Sequence, residues 1–476
     1  MNENPPPNIL LIVVDQWRGD CLGMLGHPVV QTPNLDTLFA KGIAFTRAYS
    51  AVPSCIAARA GLLTGLSPEN HGRLGYQDRV PWTYSTTMPG ELSRAGYHTH
   101  CVGKMHVFPA RNLMGFNSVQ LHDGYLHTER CGTDDYTLSD DYQPWLQDRL
   151  GRDADITDAG LGCNGYTVRP WPYEERYHPT NWVTTNAIDF LRRRDTTKPF
   201  FLKVSYHRPH PPLDPPQHFL DRYMHAELPP LQIGDWVDRD HATGGGGDSP
   251  VPIDAAQIDL ARRAYYAQLT HIDNQINRIM HALIEHKVMN NTLIAFVSDH
   301  GEMLYDHHLV AKSLGYDASA RVPMLLRLPA SAGLTSLRQV DSPVELRDLM
   351  PTFLDIAGAP IPETLDGQSL IPLCRGEGKD WRQYVHGEHV KGDSSSHWLV
   401  SGKELYIWYS QTGQEQYFDL TTDLSNCHDL SRSHSERVAY WRGCMINELQ
   451  NRPEGFVNDG QLVVGRPLSP LMPALR

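Results

Sequence analysis

The run NILLIVVD, Asn8 to Asp15, sets six aliphatic residues in a row and ends them on a carboxylate. A strand with one wet face would alternate apolar and polar residues; an unbroken run suits a parallel strand covered on both faces. The same pattern returns in KPFFLKVSYH, Lys198 to His207, and in TLIAFVSDHGE, Thr292 to Glu302. RVPMLLRLP reads as a further strand. Helical stretches lie between these runs. NLDTLFAKG is a short helix closed by Gly42, MPGELSRAGYHTHCVGK reads as helix, turn and strand, and NWVTTNAIDFLRRR is helical. From about Ala255 to Lys287 a long helix carries Ile272, Ile276, Ile279 and Leu283 on one face. ELRDLMPTFLDIAG is a helix ended by Gly358. This alternation predicts an α/β fold: a doubly wound, mostly parallel sheet flanked by helices.

Beyond about Pro372 the character changes. HWLVSGKELYIWYSQTGQEQYFDL reads as antiparallel strand, turn and strand. The expected division is a catalytic α/β domain over 1–375 and a smaller C-terminal subdomain over 376–476 with an antiparallel sheet and an extended tail. ATGGGGDSP, 242–250, reads as a loop inside the first domain, because helix and strand of the same sheet follow it. The tail GFVNDGQLVVGRPLSPLMPALR holds several leucines and valines that need burial. It packs either on a neighbouring subunit, making a homo-oligomer, or back over its own domain.

The net charge is −13, and no long basic run appears. That argues against nucleic acid or a membrane surface as partner. An anionic substrate would need local positive charge to overcome the overall field. The eight cysteines are scattered, with no CxxC pair and no zinc spacing, which suits a reduced compartment. The first residues carry no basic n-region, and the apolar run is too short for a signal peptide or a membrane span. The expected location is therefore cytoplasmic.

Ligands of open α/β sheets sit beyond the C-terminal ends of the strands. Two strands end at Asp15 and at Asp299–His300, and a third runs out near His207 and His210. Carboxylates with one imidazole suit a hard divalent ion such as Ca²⁺, Mg²⁺ or Mn²⁺. The plainer alternative is a capping Asp299 and a packed core His300. Lys104 and His106, two apart after a strand, share a face and could hold an oxyanion, or lie solvated at the surface. In SYHRPHPPLDPP the prolines fix a loop that presents His207, Arg208 and His210, or form a rigid surface turn. Lys312, in DHHLVAKSLGYD, is a further candidate cation.

One stretch, SCIAARAGLLTG, sets Cys55 four residues before Arg59, with Ala57 between them and a T-G following. This resembles the first signature of the formylglycine-dependent sulfatases, C-x-[P/A]-x-R. The second signature, G-Y-x-T-x-x-x-G-K-x-H, is matched by Gly96, Tyr97, Thr99, Gly103, Lys104 and His106. The resemblance spans roughly residues 8 to 425 and implies an alkaline phosphatase-like fold. It implies that Cys55 is oxidised to formylglycine, whose hydrated aldehyde attacks sulfur and releases the alcohol. It implies one divalent ion, Ca²⁺ ahead of Mg²⁺ or Mn²⁺, held by Asp15, Gln16, residue 55, Asp299 and His300. Arg59, Lys104 and Lys312 would neutralise the sulfate oxygens. His210 or His106 would protonate the leaving alcohol, and His207 and Arg208 would bind substrate.

Two departures stand out. Ala57 replaces the usual proline, resembling substrates of the anaerobic, radical-type maturase. Gln16 stands where a second Asp is usual, making the ion site less negative. VVDQWRGD, RPHPP and SDHGEMLYDHHLVAKSLGYD look closest to the arylsulfatase and phosphonate monoester hydrolase branch. Phosphonate monoester hydrolases generally lack G-K-x-H, so its presence here favours a small sulfate ester, aryl or sugar. The alternative is a phosphonate monoester or phosphodiester hydrolase with promiscuous sulfatase activity.

Overall fold

A computed structural model describes residues 6–126, 139–237 and 254–475. The 242–250 loop and residues 127–138 lie outside the described residues. The main sheet has eight strands: β1 (Asn8–Asp15), β2 (Ile43–Phe45), β3 (His98–Gly103), β4 (Ser118–Leu121), β5 (Phe200–Pro209), β6 (Thr292–Ser298), β7 (Met324–Arg327) and β8 (Arg338–Val340). Their order is β4-β3-β5-β1-β6-β7-β2-β8. The pairs from β4 to β6 are parallel, whereas β7 runs antiparallel to both of its neighbours. This is the doubly wound, mostly parallel sheet that the sequence predicts.

The unbroken apolar run of β1 has a direct structural cause. Leu10, Ile12 and Val14 enter the core on one face of the sheet. Ile9, Leu11 and Val13 enter the core on the other. The long helix (Ala255–Glu285) starts at Asp254, whose side chain accepts from the amides of Ala256 and Gln257. Its predicted stripe of Ile272, Ile276, Ile279 and Leu283 is fully buried. Gly42 differs from its expected role. The helix Pro33–Phe39 ends before it. Gly42 is needed instead for close approach, since a Cβ there would lie 2.7 Å from the Leu326 carbonyl oxygen.

The C-terminal stretch is richer than strand, turn and strand. It forms a four-stranded antiparallel sheet of β9 (Val385–His389), β10 (Ser396–Val400), β11 (Glu404–Tyr409) and β12 (Glu415–Asp419). One face packs on Tyr49, Met303 and Tyr316 of the larger part. The other lies beneath the helix Ser435–Leu449. The tail folds back on its own chain: Leu74 N donates to Pro470 O and Met472 N to Gly72 O. No helix among the described residues is long and apolar enough to cross a membrane.

β9 is held by a buried ion pair. Arg452 reaches Glu388 with two bonds, 2.7 and 3.0 Å. Burial alone would raise the Glu388 pKa, but Arg452 and His397 bring it down to about 2 from an ordinary 4.5. A depressed acid contributes stability above its unfolded pKa and loses it as pH falls through the folded one. The Glu388 contribution is therefore complete above about pH 4.5 and fades toward pH 2. Arg452→Ala is expected to cost about 3–5 kcal/mol, because it strands a buried carboxylate. Urea unfolding of the variant at pH 7 measures this. A loss below about 1 kcal/mol would show that the pair is not structural.

Candidate active site

Strand register brings distant residues to one edge. Val14 of β1 lies beside Tyr206 of β5 and Ser298 of β6. The next backbone contacts continue that edge: His210 N donates to Asp15 O at 3.2 Å and Asp299 N to Val14 O at 3.3 Å. Lys104 joins from β3, its amide donating to Ser205 O at 2.9 Å. The glycine of G-K-x-H is what permits this. Gly103 has φ +95°, and a Cβ there would lie 1.9 Å from the Ser205 carbonyl oxygen.

Cys55 opens a wholly buried helix, Cys55–Thr64, that ends at the left-handed Gly65. Its thiol lies at the positive end of the helix dipole. Sγ is 3.2 Å from His300 Nε2 and 3.7 Å from Asp15 Oδ1. One turn on, Arg59 is completely buried and ties the edge together. It reaches Asp299 Oδ2 at 2.9 Å, Asp15 Oδ2 at 3.3 Å, Lys104 O at 2.9 Å and Ser205 Oγ at 3.0 Å. Lys104 Nζ stands 2.6 Å from Asp15 Oδ2. Ligating atoms of Asp15, Cys55, Asp299 and His300 all lie within 4.8 Å of one another.

Gln16 takes two roles at once. Its side-chain oxygen accepts from Lys312 Nζ at 2.8 Å, and its side-chain NH₂ donates to Glu302. Lys312 also donates to His210 Nε2 at 3.0 Å. His210 Nδ1 lies 2.8 Å from Pro211 O, an acceptor only. Nδ1 therefore carries the ring proton and Nε2 accepts.

His106, His207 and His210 line a cavity of about 640 Å³ together with Cys55, Lys104 and Lys312. Arg208 does not line it. Its guanidinium pairs with Asp214 through two 2.6 Å bonds and approaches His207 Nδ1 at 2.6 Å, one layer behind the wall. A second cavity, about 530 Å³, lies near Arg18, Asp20 and Arg262 and holds none of the residues singled out from sequence.

The electrostatics favour anions. Burial tends to raise the Asp15 pKa, but Lys104, His210, Arg59 and His300 bring it well below the usual carboxylate range. Burial and Asp15 push the Cys55 thiol up; Lys312, Lys104 and His300 outweigh them and lower it. Burial, then Lys312, hold the His210 imidazole well below its usual value, so it is neutral. Burial followed by Lys104 does the same to His207. The local positive charge that the −13 chain requires is therefore present at this cavity.

Other residues were not singled out from sequence. Asp123 accepts from the amides of Met105 and His106, at 2.7 and 3.1 Å, and fixes the loop after Lys104. Tyr76, Asn164, His389 and Lys391 line the cavity from loops and from the small sheet. Lys203 is wholly buried within β5 and donates to Lys104 O at 2.8 Å. Burial pushes its pKa down to about 8. A lysine inside the apolar run FFLKVSYH was the available signal for it.

The sheet order, with a cysteine-headed helix and two carboxylates at one strand edge, defines an alkaline phosphatase-like hydrolase fold. Solved structures share it. Phosphonate monoester hydrolase of Agrobacterium radiobacter superposes with TM-score 0.78 at 23% identity, covering 97% of this chain and 100% of that one. Residues 7–359 match the Sulfatase family, and the chain belongs to it. Residues 305–449 match the N-sulphoglucosamine sulphohydrolase C-terminal family. An arylsulfatase of Clostridium perfringens is 47% identical over 98% of this chain and 99% of its own length. A multifunctional alkaline phosphatase superfamily protein of Trinickia caryophylli is 31% identical, covering 80% of each chain. The protein is a sulfuric ester hydrolase.

Proposed function

We propose that this cavity hydrolyses a sulfate monoester of a small aryl or sugar alcohol, with residue 55 as formylglycine and a divalent ion beside it. The observation that carries this reading is the convergence of Cys55, Arg59, Lys104 and Lys312 on one buried edge. The donor set fits the ion: two carboxylates and one imidazole are hard or borderline, and only the thiol is soft. Oxygen in place of that sulfur would make the set consistent. Asp15, Asp299 and His300 would hold the ion, with Gln16 joining by its amide oxygen. When bound, the ion and the hydrated aldehyde would together supply an activated hydroxyl nucleophile and a clamp on sulfate oxygen.

The chain's own groups do the rest. Arg59 bonds to both Asp15 and Asp299 and fixes them against each other. Lys104 and Lys312 face the non-bridging oxygens as charge shifts in the transition state. His210 has no proton on Nε2, so the proton nearest the leaving alcohol is on the Lys312 ammonium. The Lys312 ammonium supplies it directly, and His210 Nε2 and the Gln16 side-chain oxygen orient that ammonium by accepting from it. His106 stands across the cavity on the loop held by Asp123. His207 lines the substrate side, and Arg208 positions it through Nδ1. Residues 1–375 are the catalytic part. Residues 376–476 are a subdomain that closes one wall through His389 and Lys391. Ala57 supports maturation by the radical-type enzyme.

A second reading, phosphonate monoester or phosphodiester hydrolysis in the same cavity, is favoured by the Trinickia relative described as multifunctional. Comparing kcat/KM on an aryl sulfate and the matching aryl phosphonate monoester tests the choice; a higher value for the phosphonate would overturn the sulfate assignment. The peptide containing Cys55 should lose H₂S and gain one oxygen in intact-mass analysis. Elemental analysis of the active protein should find about one Ca²⁺, Mg²⁺ or Mn²⁺ per chain. Exhaustive chelation is expected to abolish turnover and re-addition to restore it. Full activity after verified removal of the ion would contradict the ion site.

A further inference from the structure

One wall of the cavity carries two groups that this chemistry leaves unused. His389 ends β9 and is 3% exposed, yet neither ring nitrogen has a hydrogen-bond partner among the described residues. Lys391, two residues on, lines the same cavity. Among the described residues, no carboxylate lies within ion-pair distance of its ammonium. A buried polar group without a partner calls for an explanation, and a ligand in the cavity is the nearest one. Glu388, between them and Arg452, pins the strand, so the pair is presented on a rigid support.

Charge matching points the same way. Lys104 pairs with Asp15, and Arg59 with Asp15 and Asp299, and an ion held by the same carboxylates would add further positive charge. Among the described residues Lys312 bonds to Gln16 and His210 and makes no ion pair with a carboxylate. A sulfate monoester brings one negative charge, which Lys312 answers. Lys391 then stands without a counter-charge among the described residues, close enough to Lys312 that burial and this neighbour push its pKa down. Burial, followed by Lys391 and His300, holds His389 near 3, so it is a neutral imidazole with one donor and one acceptor nitrogen. The cavity, about 640 Å³, has room for a ring carrying a second group.

We propose that Lys391 and His389 form a second oxyanion subsite, and that the preferred sulfate ester carries a further anionic group, a carboxylate or a second sulfate, on its alcohol. This rests on the sulfatase reading and names its substrate class. Lys391 supplies the charge, and the donor nitrogen of His389 orients the oxyanion.

The test compares phenyl sulfate with 4-sulfooxybenzoate and with hydroquinone bis-sulfate, using the full matured chain. The wild type should favour at least one dianion by about tenfold or more in kcat/KM. Which one separates carboxylate from sulfate as the second group. Lys391→Met should bring the ratio to about one, mainly through KM, while Lys391→Arg should keep it. His389→Asn should lower the ratio, and added salt should lower it in the wild type. A wild-type ratio at or below one would overturn the subsite, as would equal losses on all three esters in Lys391→Met. Equilibrium titration of Cys55→Ala with the same esters needs no turnover. There the dianion should bind about tenfold tighter, and Lys391→Met on that background should erase the difference. Equal affinities would overturn the subsite alone. Absence of turnover in the wild type with a retained affinity difference would instead overturn the sulfatase reading.

Discussion

Cys55→Ala is expected to abolish turnover of an aryl sulfate while the protein stays folded. The change removes one sulfur atom from the first position of a buried helix. The cavity left is small, and the stability cost should be about 1 kcal/mol, as for other single-group deletions in cores. The helix keeps its other anchors, because Arg59 still holds Asp15, Asp299 and Ser205. The chemistry has no such reserve. Residue 55 is the proposed source of the nucleophile, and knocking out the nucleophile of a concerted catalytic set typically costs on the order of 10⁴-fold or more. Cys55→Ser should lose nearly as much, since a maturase that recognises cysteine leaves the hydroxyl unchanged. Such a serine is a weak nucleophile at neutral pH. Initial rates on an aryl sulfate, with thermal unfolding as a control for folding, decide the matter. A variant that keeps a tenth of the wild-type kcat with an unchanged melting temperature would sink the assignment.

The sequence made the central strands legible because their apolar runs are unbroken. Asn8–Asp15, Phe200–Pro209 and Thr292–Ser298 are buried on both faces, so no polar residue had to interrupt them. The edge of the sheet left a weaker mark. Arg338–Val340 is a three-residue strand with two exposed positions, and nothing in RQV separates it from a loop. Strand β9 was hidden for another reason. VHGEH looks like surface, yet Glu388 is buried because Arg452, sixty-four residues later, pairs with it. A single sequence does not show that pairing. The site follows the same division. Asp15, Asp299 and His210 were singled out because ligands gather where parallel strands end. Cys55 and Arg59 were singled out through a family signature, and Lys104 and His106 through their place after a strand as well as a second signature. Asp123 and Lys391 come from loops and His389 from the end of a short strand, and only the fold brings them to the cavity. Arg208 shows the converse. It lies in a chemically suggestive stretch at the end of β5, but Asp214, six residues on, takes its Nε and Nη2.

Lys104→Ala is expected to lower kcat/KM on a sulfate monoester by about 2–4 kcal/mol of transition-state stabilisation, roughly 30- to 900-fold. Gly103 turns the chain so that this lysine enters the cavity, and its ammonium sits 2.6 Å from Asp15 Oδ2. The loss therefore has two parts. One is the charge removed from the non-bridging oxygens of the ester. The other is the freedom given to Asp15, which among the described residues then keeps Arg59 as its Lys/Arg ion-pair partner. The two parts separate by substrate. A loosened Asp15 would slow every ester equally, because the ion site serves them all. A lost contact to sulfate would fall more heavily on sulfate than on a phosphonate monoester of the same alcohol. Both substrates are monoanions, so net charge alone does not divide them. Phosphonate carries more charge on its oxygens and has one carbon substituent where sulfate has an oxygen that accepts hydrogen bonds. A lysine aimed at that oxygen discriminates by geometry. The expected result is a fall on both substrates, with the sulfate-to-phosphonate ratio dropping several-fold. Lys104→Arg should restore part of the rate by keeping the charge beside Asp15, while its broader fork leaves the ratio impaired. Equal losses on the two substrates would reduce Lys104 to a holder of Asp15 and remove G-K-x-H as the source of sulfate preference.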